Sequence, residues 1–117
     1  MKFMTIVKSS ENIGPAPQAM SDAVAQAMAE GFKSGRIVEA GGLMRSEAGA
    51  KVRLSGGKIT ITDGPFTEAK EVIGGLAILQ ANSKEEAIEL VKEFLQVAGD
   101  GECELRQLYD AGSTPGA

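Results

Sequence analysis

Two short stretches of alternating apolar and polar residues flank a pair of glycines and constrain the fold more than any other feature of the chain. Residues 51–55 read Lys-Val-Arg-Leu-Ser, residues 58–62 read Lys-Ile-Thr-Ile-Thr, and two glycines lie between them. Glycines adopt the positive φ angles of a two-residue hairpin turn without steric cost. The sequence therefore predicts an antiparallel β-hairpin that is closed by this glycine pair.

Counting outward from the turn predicts the register of the hairpin and the character of its two faces. Leu54 then lies opposite Ile59, and Val52 lies opposite Ile61, on one apolar face. The other face carries Arg53 and two threonine hydroxyls. We expect the apolar face to be buried.

The other periodic segments complete the order of elements. Their predicted ranges are a strand over 2–8, a helix over 17–35, a strand from 37, a strand over 72–80 that is central in its sheet, a helix from 83 and a strand over 102–109. This order is the βαββαβ arrangement of a ferredoxin-like α+β sandwich, with the hairpin as an insertion and both helices on one face of an antiparallel sheet. The chain has 15 glycines, and their pairing predicts many tight turns.

The chain length and the open sheet face predict the assembly. With 117 residues, we expect one domain over 1–110 and a flexible C-terminal tail over 111–117. No predicted helix remains to cover the second face of the sheet, although apolar residues alternate in its strands. A second copy of the chain is the simplest cover, so we expect a homodimer with the two open sheet faces in contact.

The composition excludes several classes of function. The chain has no histidine, which rules out histidine-dependent triads and zinc sites within it. The single Cys103 forms no internal disulfide or thiolate cluster. A net charge of −4 and a pI near 4.9 disfavour nucleic-acid binding, and no apolar run reaches the roughly 20 residues that span a bilayer. We expect a cytoplasmic protein that needs no metal or cofactor and binds neither nucleic acid nor membrane.

The turn after the hairpin holds the candidate functional acid. Asp63 ends a predicted strand beside Gly-Pro, where it is a candidate catalytic acid or base, but a turn-forming aspartate that bonds its own backbone is the simpler explanation, because aspartate before Gly-Pro needs no ligand. Phe66 and Glu68 are candidate substrate-binding residues. Packing of the turn explains Phe66 as well, and a solvated charge run explains Glu68.

Two arginines are candidates for binding an anionic substrate group. Arg53 and Arg106 lie on the less apolar strand faces, where a guanidinium can bind a carboxylate through paired donors. Each is explained equally by a structural ion pair with Glu104 or Glu39.

The segment Asp-Gly-Pro-Phe-Thr-Glu-Ala-Lys-Glu at 63–71, with Gly74-Gly75 after it and Glu-Leu-Arg at 104–106, resembles the DGPF-domain, YCII-related family. The likeness extends over nearly the whole chain. It implies a dimeric α/β barrel, a homodimer and, for most members, no established activity. Some relatives are encoded beside, or fused to, extracytoplasmic-function sigma factors.

The chain departs from this family pattern at several positions. The histidine-aspartate pair proposed as the active site of some relatives cannot form without a histidine. Phe3 and Leu76 stand where many relatives have tyrosine and an aromatic residue, and Gln107 follows Arg106 where proline is common. Without the histidine, the mechanism proposed for those relatives cannot be transferred to this chain. Gln107 is interpreted as a change of strand-edge geometry and not of chemistry.

Two hypotheses of function follow. In the first, a homodimer binds a small molecule, or acts as a cofactor-free enzyme, in a cleft between sheet and helices near the turn at 63–66. Segments 9–17 and 63–71 would form its walls, with Asp63 as acid or base and Arg53 as the clamp for an anionic group. In the second, the chain is a non-catalytic dimeric module that contacts a transcription or signalling partner.

Overall fold

A computed structural model describes residues 1–9, 18–66 and 72–110. The elements are β1 (Lys2–Ser9), α1 (Gln18–Ser34), β2 (Ile37–Gly42), a 3₁₀ turn (Ser46–Ala48), β3 (Ala50–Ser55), β4 (Lys58–Asp63), β5 (Val72–Gln80), α2 (Lys84–Ala98) and β6 (Glu102–Gln107). The predicted order of elements is confirmed. The tail over 111–117 and most of the predicted loop over 9–17 lie outside the described residues.

Four strands form one antiparallel sheet in the order β2-β5-β1-β6. This order, with two helices, is the ferredoxin-like α+β fold that the sequence predicts. The central position of β5 is also confirmed, because β5 pairs with β1 on one side and with β2 on the other.

The core lies on the helix-covered face of this sheet. Phe3 is 1% exposed, and it pairs with the buried Leu79 across β1 and β5. Ala87 of α2 packs in the same cluster. Met4 and Ile6 alternate with these residues and therefore point to the opposite face, where they are half-buried and face no helix within the described ranges.

Short-range sequence signals mark the ends of both helices. Gly35 has a φ of 79° directly after α1, as expected for a glycine that ends a helix. Ser83 caps α2, because its hydroxyl accepts a hydrogen bond from the Glu86 backbone N–H at 3.1 Å. The spacing of Ser83 and Glu86 also predicts a capping box, in which the Glu86 carboxylate would accept a hydrogen bond from the Ser83 backbone N–H, and this second half is wrong. The Glu86 carboxylate instead accepts a hydrogen bond from the Asn82 side-chain amide at 3.3 Å.

The hairpin has the predicted register but not the predicted burial. Ser55 pairs with Lys58, and the pairing continues outward with Leu54 opposite Ile59. However, β3 and β4 form a separate two-stranded sheet, and all of their residues are exposed. The prediction of a buried hairpin face is therefore wrong within the single chain. An alternating pattern shows which face is apolar, but it does not show what covers that face.

Candidate functional site

A cleft of about 810 Å³ lies between the two helices and the sheet. Its walls are mainly apolar, with Val24 and Met28 from α1 and Val91 and Phe94 from α2. The three charged residues of the lining are Glu30, Arg36 and Glu93, and all are solvent-exposed. The interior of the cleft is therefore apolar, and charge lies at its mouth.

Two glycines on neighbouring strands create the hollow at the floor of the cleft. Gly42 of β2 pairs directly with Gly75 of β5, and Gly75 also pairs with Val7 of β1. A Cβ atom added at Gly42 would have no neighbour closer than the Gly74 carbonyl oxygen at 3.9 Å. A Cβ at Gly75 would lie 3.0 Å from the Gly41 carbonyl oxygen. The floor is hollow because no side chain projects from either glycine.

A third glycine allows α1 to approach the sheet beside this hollow. Gly31 of α1 lines the cleft, and a Cβ at this position would overlap the Ile37 side chain of β2. Close contact of helix and strand therefore requires glycine here. Gly31 fixes the position of one cleft wall.

Thr5 is the buried polar side chain of the cleft lining. It is 7% exposed, and its hydroxyl has no partner of hydrogen-bond geometry among the described residues. The Cys103 thiol lies beside it. Burial raises the pKa of Cys103, and the nearby Thr5 hydroxyl partly opposes this rise without forming a full hydrogen bond. Both groups lie on the helix-covered side of the sheet.

The two candidate residues of the hairpin lie away from the cleft and from each other. Asp63 opposes Ala50 at the end of β4, on the same face as Ile61, whereas Arg53 opposes Thr60 on the other face. Both side chains are exposed. Within the described residues the Asp63 carboxylate accepts no hydrogen bond, so the turn forms without the backbone contact considered for it. A single hairpin does not bring these two residues to one site.

Arg106 forms an ion pair on the open face of the sheet. Its Nη1 lies 3.3 Å from Glu104 Oε2, and Lys8 Nζ lies 3.2 Å from Glu104 Oε1. The hydrogen bond from Lys8, followed by that from Arg106, lowers the pKa of Glu104. The structural ion pair considered for Arg106 therefore exists, and Arg106 does not line the cleft.

Phe66 packs against the base of the hairpin. Its backbone N–H donates a hydrogen bond to Ser46 Oγ at 3.1 Å, and Lys51 Nζ lies 4.6 Å from the centre of its ring. The ring also lines a smaller hollow of about 490 Å³ together with Leu43 and Ile73. Glu68 lies outside the described residues. No candidate that the structure describes lines the larger cleft, and the functional roles of all five stay predictions.

The residues that shape the cleft were missed as site residues. The glycine pairs predicted tight turns, but only the pair at 56–57 forms one, whereas the pairs at 41–42 and 74–75 lie in β2 and β5. Glycine inside a strand marks a close approach or a space that a side chain would fill. This signal was present in the sequence.

Two further findings concern the described ranges 1–9, 18–66 and 72–110. No group of three or more cysteine, aspartate or glutamate side chains there is arranged to hold a metal ion. Neither of the two helices combines the length and the apolar character needed to cross a membrane.

Comparison with known proteins adds a family match over most of the chain. The family model of the YCII-related domain matches residues 1–110. A similar protein is an uncharacterized protein of Rhizobium meliloti (strain 1021), which is 29% identical over 86 residues. The match covers 71% of this chain and 69% of that relative.

Proposed function

The chain belongs to the YCII-related family, and we propose from the geometry of its cleft that it binds a small, largely apolar molecule between its helices and its sheet. Family membership alone does not identify an activity. The observation that carries this proposal is the glycine floor, where Gly42 and Gly75 leave a hollow under apolar walls. Small-molecule sites are usually concave clefts with mainly apolar walls and a few polar groups. The cleft between the helices and the sheet has this form, and this supports a bound molecule there.

The size and lining of the cleft favour a particular class of ligand. A volume of about 810 Å³ falls within the range of roughly 300–1,000 Å³ that is usual for small-molecule sites. The walls favour an aliphatic or aromatic body. Thr5, as the buried polar residue of the lining, favours a ligand with one hydroxyl or carbonyl group at its buried end.

We also propose that two chains associate through the open faces of their four-stranded sheets. Met4, Ile6, Leu76 and Ile78 share that face by their register, and both helices pack on the other side. The cleft lies on the helix side, so each subunit of such a dimer retains its own cleft. In this arrangement the dimer supports the sheet that forms the cleft floor.

Catalysis is not needed for this proposal. Asp63 and Arg53 lie on opposite faces of the hairpin and outside the cleft lining, so neither contacts a ligand bound in the cleft of its own chain. The proposed function is therefore binding, and a catalytic role for Asp63 is a separate prediction.

A fluorescent probe tests the cleft directly. N-phenyl-1-naphthylamine is neutral and apolar, and its emission rises when it leaves water. We expect saturable binding of one probe per chain. Gly42→Val should weaken that binding at least about tenfold, or about 1.4 kcal/mol, because the new side chain fills the floor. Gly41→Val is the matched control, since position 41 pairs with Leu76 and its side chain would point to the open face.

Equal probe affinity in wild type and Gly42→Val would contradict the proposal. A thermal-shift screen of a metabolite library then separates the two possible sites. Compounds that stabilise the wild type but not Gly42→Val bind in the cleft. Compounds lost only in Asp63→Asn would place the ligand at the hairpin turn instead and would overturn the cleft proposal.

A further inference from the structure

The hairpin exposes an apolar surface that its own chain leaves open in the described residues. Val52, Leu54, Ile59 and Ile61 share one face by their register, and their exposed fractions are 71%, 69%, 63% and 67%. A two-stranded sheet of this kind is only marginally stable by itself in water, and it needs its apolar face packed against another surface. The length and regular pairing of β3 and β4 therefore imply a covering surface.

This apolar surface continues at the base of the hairpin. Leu43, Met44 and Ile73 are 48%, 85% and 48% exposed, and they line the same hollow as Ala50, the first residue of β3. Among the described residues, the hairpin and its base thus hold 7 of the 12 exposed large hydrophobic side chains. We call these seven residues the hairpin patch. They are Leu43, Met44, Val52, Leu54, Ile59, Ile61 and Ile73.

The area of the hairpin patch matches what a stable dimer requires. Full burial of an aliphatic side chain removes roughly 60–120 Å² of apolar surface. The seven side chains of the patch are about two-thirds exposed on average, so the patch offers about 300–500 Å² for burial. A standard interface buries about 800 Å² on each partner, and somewhat more than half of that area is apolar. The apolar side chains on the open sheet face, such as Ile6 and Leu76, are already half-buried and add less new burial.

The charges are arranged to permit contact between two identical patches. Lys51 and Arg53 alternate with the apolar residues of β3, and Lys58 pairs with Ser55 on the same side as Arg53. All three side chains therefore project from the polar face of the hairpin. No lysine or arginine lies on the apolar face of β3 and β4, where Asp63 at the strand end is the one charged residue. Two apolar faces related by a two-fold axis therefore meet without opposing their cations.

We propose that the hairpin patch binds the hairpin patch of a second copy of this chain and supplies the main apolar contact of the dimer. This inference rests on the homodimer proposed above and assigns its energetic centre to the hairpin instead of the four-stranded sheet. The sheet-to-sheet contact would then be the adjoining part of the same interface.

Sedimentation velocity over a range of concentrations, performed on the full chain, tests this proposal with a matched pair of variants. Ile59→Lys places a cation on the apolar face, and Thr60→Lys places the same cation one residue away on the polar face. We expect the wild type to be dimeric at micromolar concentration. Ile59→Lys should raise the dimer dissociation constant at least about 100-fold, as expected at the centre of an interface, whereas Thr60→Lys should change it less than about threefold.

A third variant separates the hairpin from the sheet. Ile6→Lys places a cation on the open sheet face. If Ile6→Lys dissociates the dimer and Ile59→Lys does not, the homodimer is retained and the hairpin proposal is overturned. A wild type that is monomeric at micromolar concentration overturns both. The helical signal in the far-ultraviolet circular dichroism of Ile59→Lys should match that of the wild type, because both helices pack on the four-stranded sheet and the hairpin forms a separate sheet.

Discussion

Valine at position 42 should stabilise the unliganded protein even though it removes the proposed binding site. Gly42 lies in β2 without a positive φ, so its backbone accepts a side chain. A glycine in a strand costs about 0.5–1 kcal/mol relative to alanine. Partial burial of the valine methyl groups in the cleft adds roughly 1 kcal/mol, so we expect the free energy of unfolding to rise by about 1–2 kcal/mol.

Thermal unfolding followed by circular dichroism measures this gain. For a domain of this size, each kcal/mol shifts Tm by roughly 4 °C, so Gly42→Val should unfold about 4–8 °C above the wild type. Tm should rise because the space above position 42 is open, and the nearest atom to a new Cβ, the Gly74 carbonyl oxygen, is 3.9 Å away.

The opposing glycine provides the contrast. A Cβ at Gly75 would lie 3.0 Å from the Gly41 carbonyl oxygen, which is backbone and cannot move as a flexible side chain can. Gly75→Val should therefore lower the free energy of unfolding by about 1–3 kcal/mol through overpacking. A lower Tm for Gly42→Val, or the same change for both variants, would show that the floor is not open and would refute the reasoning.

Three other predictions concern the core, the thiol and the open sheet face. Phe3→Ala should lower the free energy of unfolding, measured by urea denaturation, by about 3–5 kcal/mol, since Phe3 is the largest fully buried side chain among the described residues. A loss below about 1 kcal/mol would contradict its burial. Cys103 should react with iodoacetamide more slowly in the native protein than in urea at the same mildly alkaline pH, because burial raises its pKa; mass spectrometry would detect equal rates if this is wrong. In a carbon-detected NMR titration, Lys8→Met should move the lowered pKa of Glu104 back toward its ordinary value by more than Arg106→Met does. Because the pKa of Glu104 is lower in the folded state, its ion pairs stabilise the fold at pH values above the ordinary pKa of the carboxyl group. This stabilisation is lost as the pH falls through the lowered pKa.

The local structure of the hairpin was predictable because short-range rules determine it. Alternation and a glycine pair set the register from Ser55 opposite Lys58 outward, and the structure has that register. The covering of its apolar face was not predictable, because covering depends on long-range contacts that a local pattern does not contain. The same register also separates Asp63 from Arg53, so a shared site for these two residues could have been rejected from the sequence.

The cleft was predictable only in part. The order of elements predicts a space between one sheet face and two helices, and the structure has a cleft there. Its depth comes from Gly42 and Gly75, whose pairing requires the register of β2 on β5. That register joins strands separated by the whole hairpin, and no local signal in the sequence determines it. A search for reactive or charged side chains also overlooks Gly42 and Gly75, which shape the cleft because they have no side chain.

Backbone amide NMR of the nitrogen-15-labelled protein, titrated with N-phenyl-1-naphthylamine, tests the central claim most directly. If a small apolar molecule binds between the helices and the sheet, the largest chemical-shift changes will occur at Val7, Gly42 and Gly75 on the floor and at Val24 and Met28 on the α1 wall. Changes concentrated in β3 and β4, or around Phe66, would place binding on the hairpin and would contradict the claim.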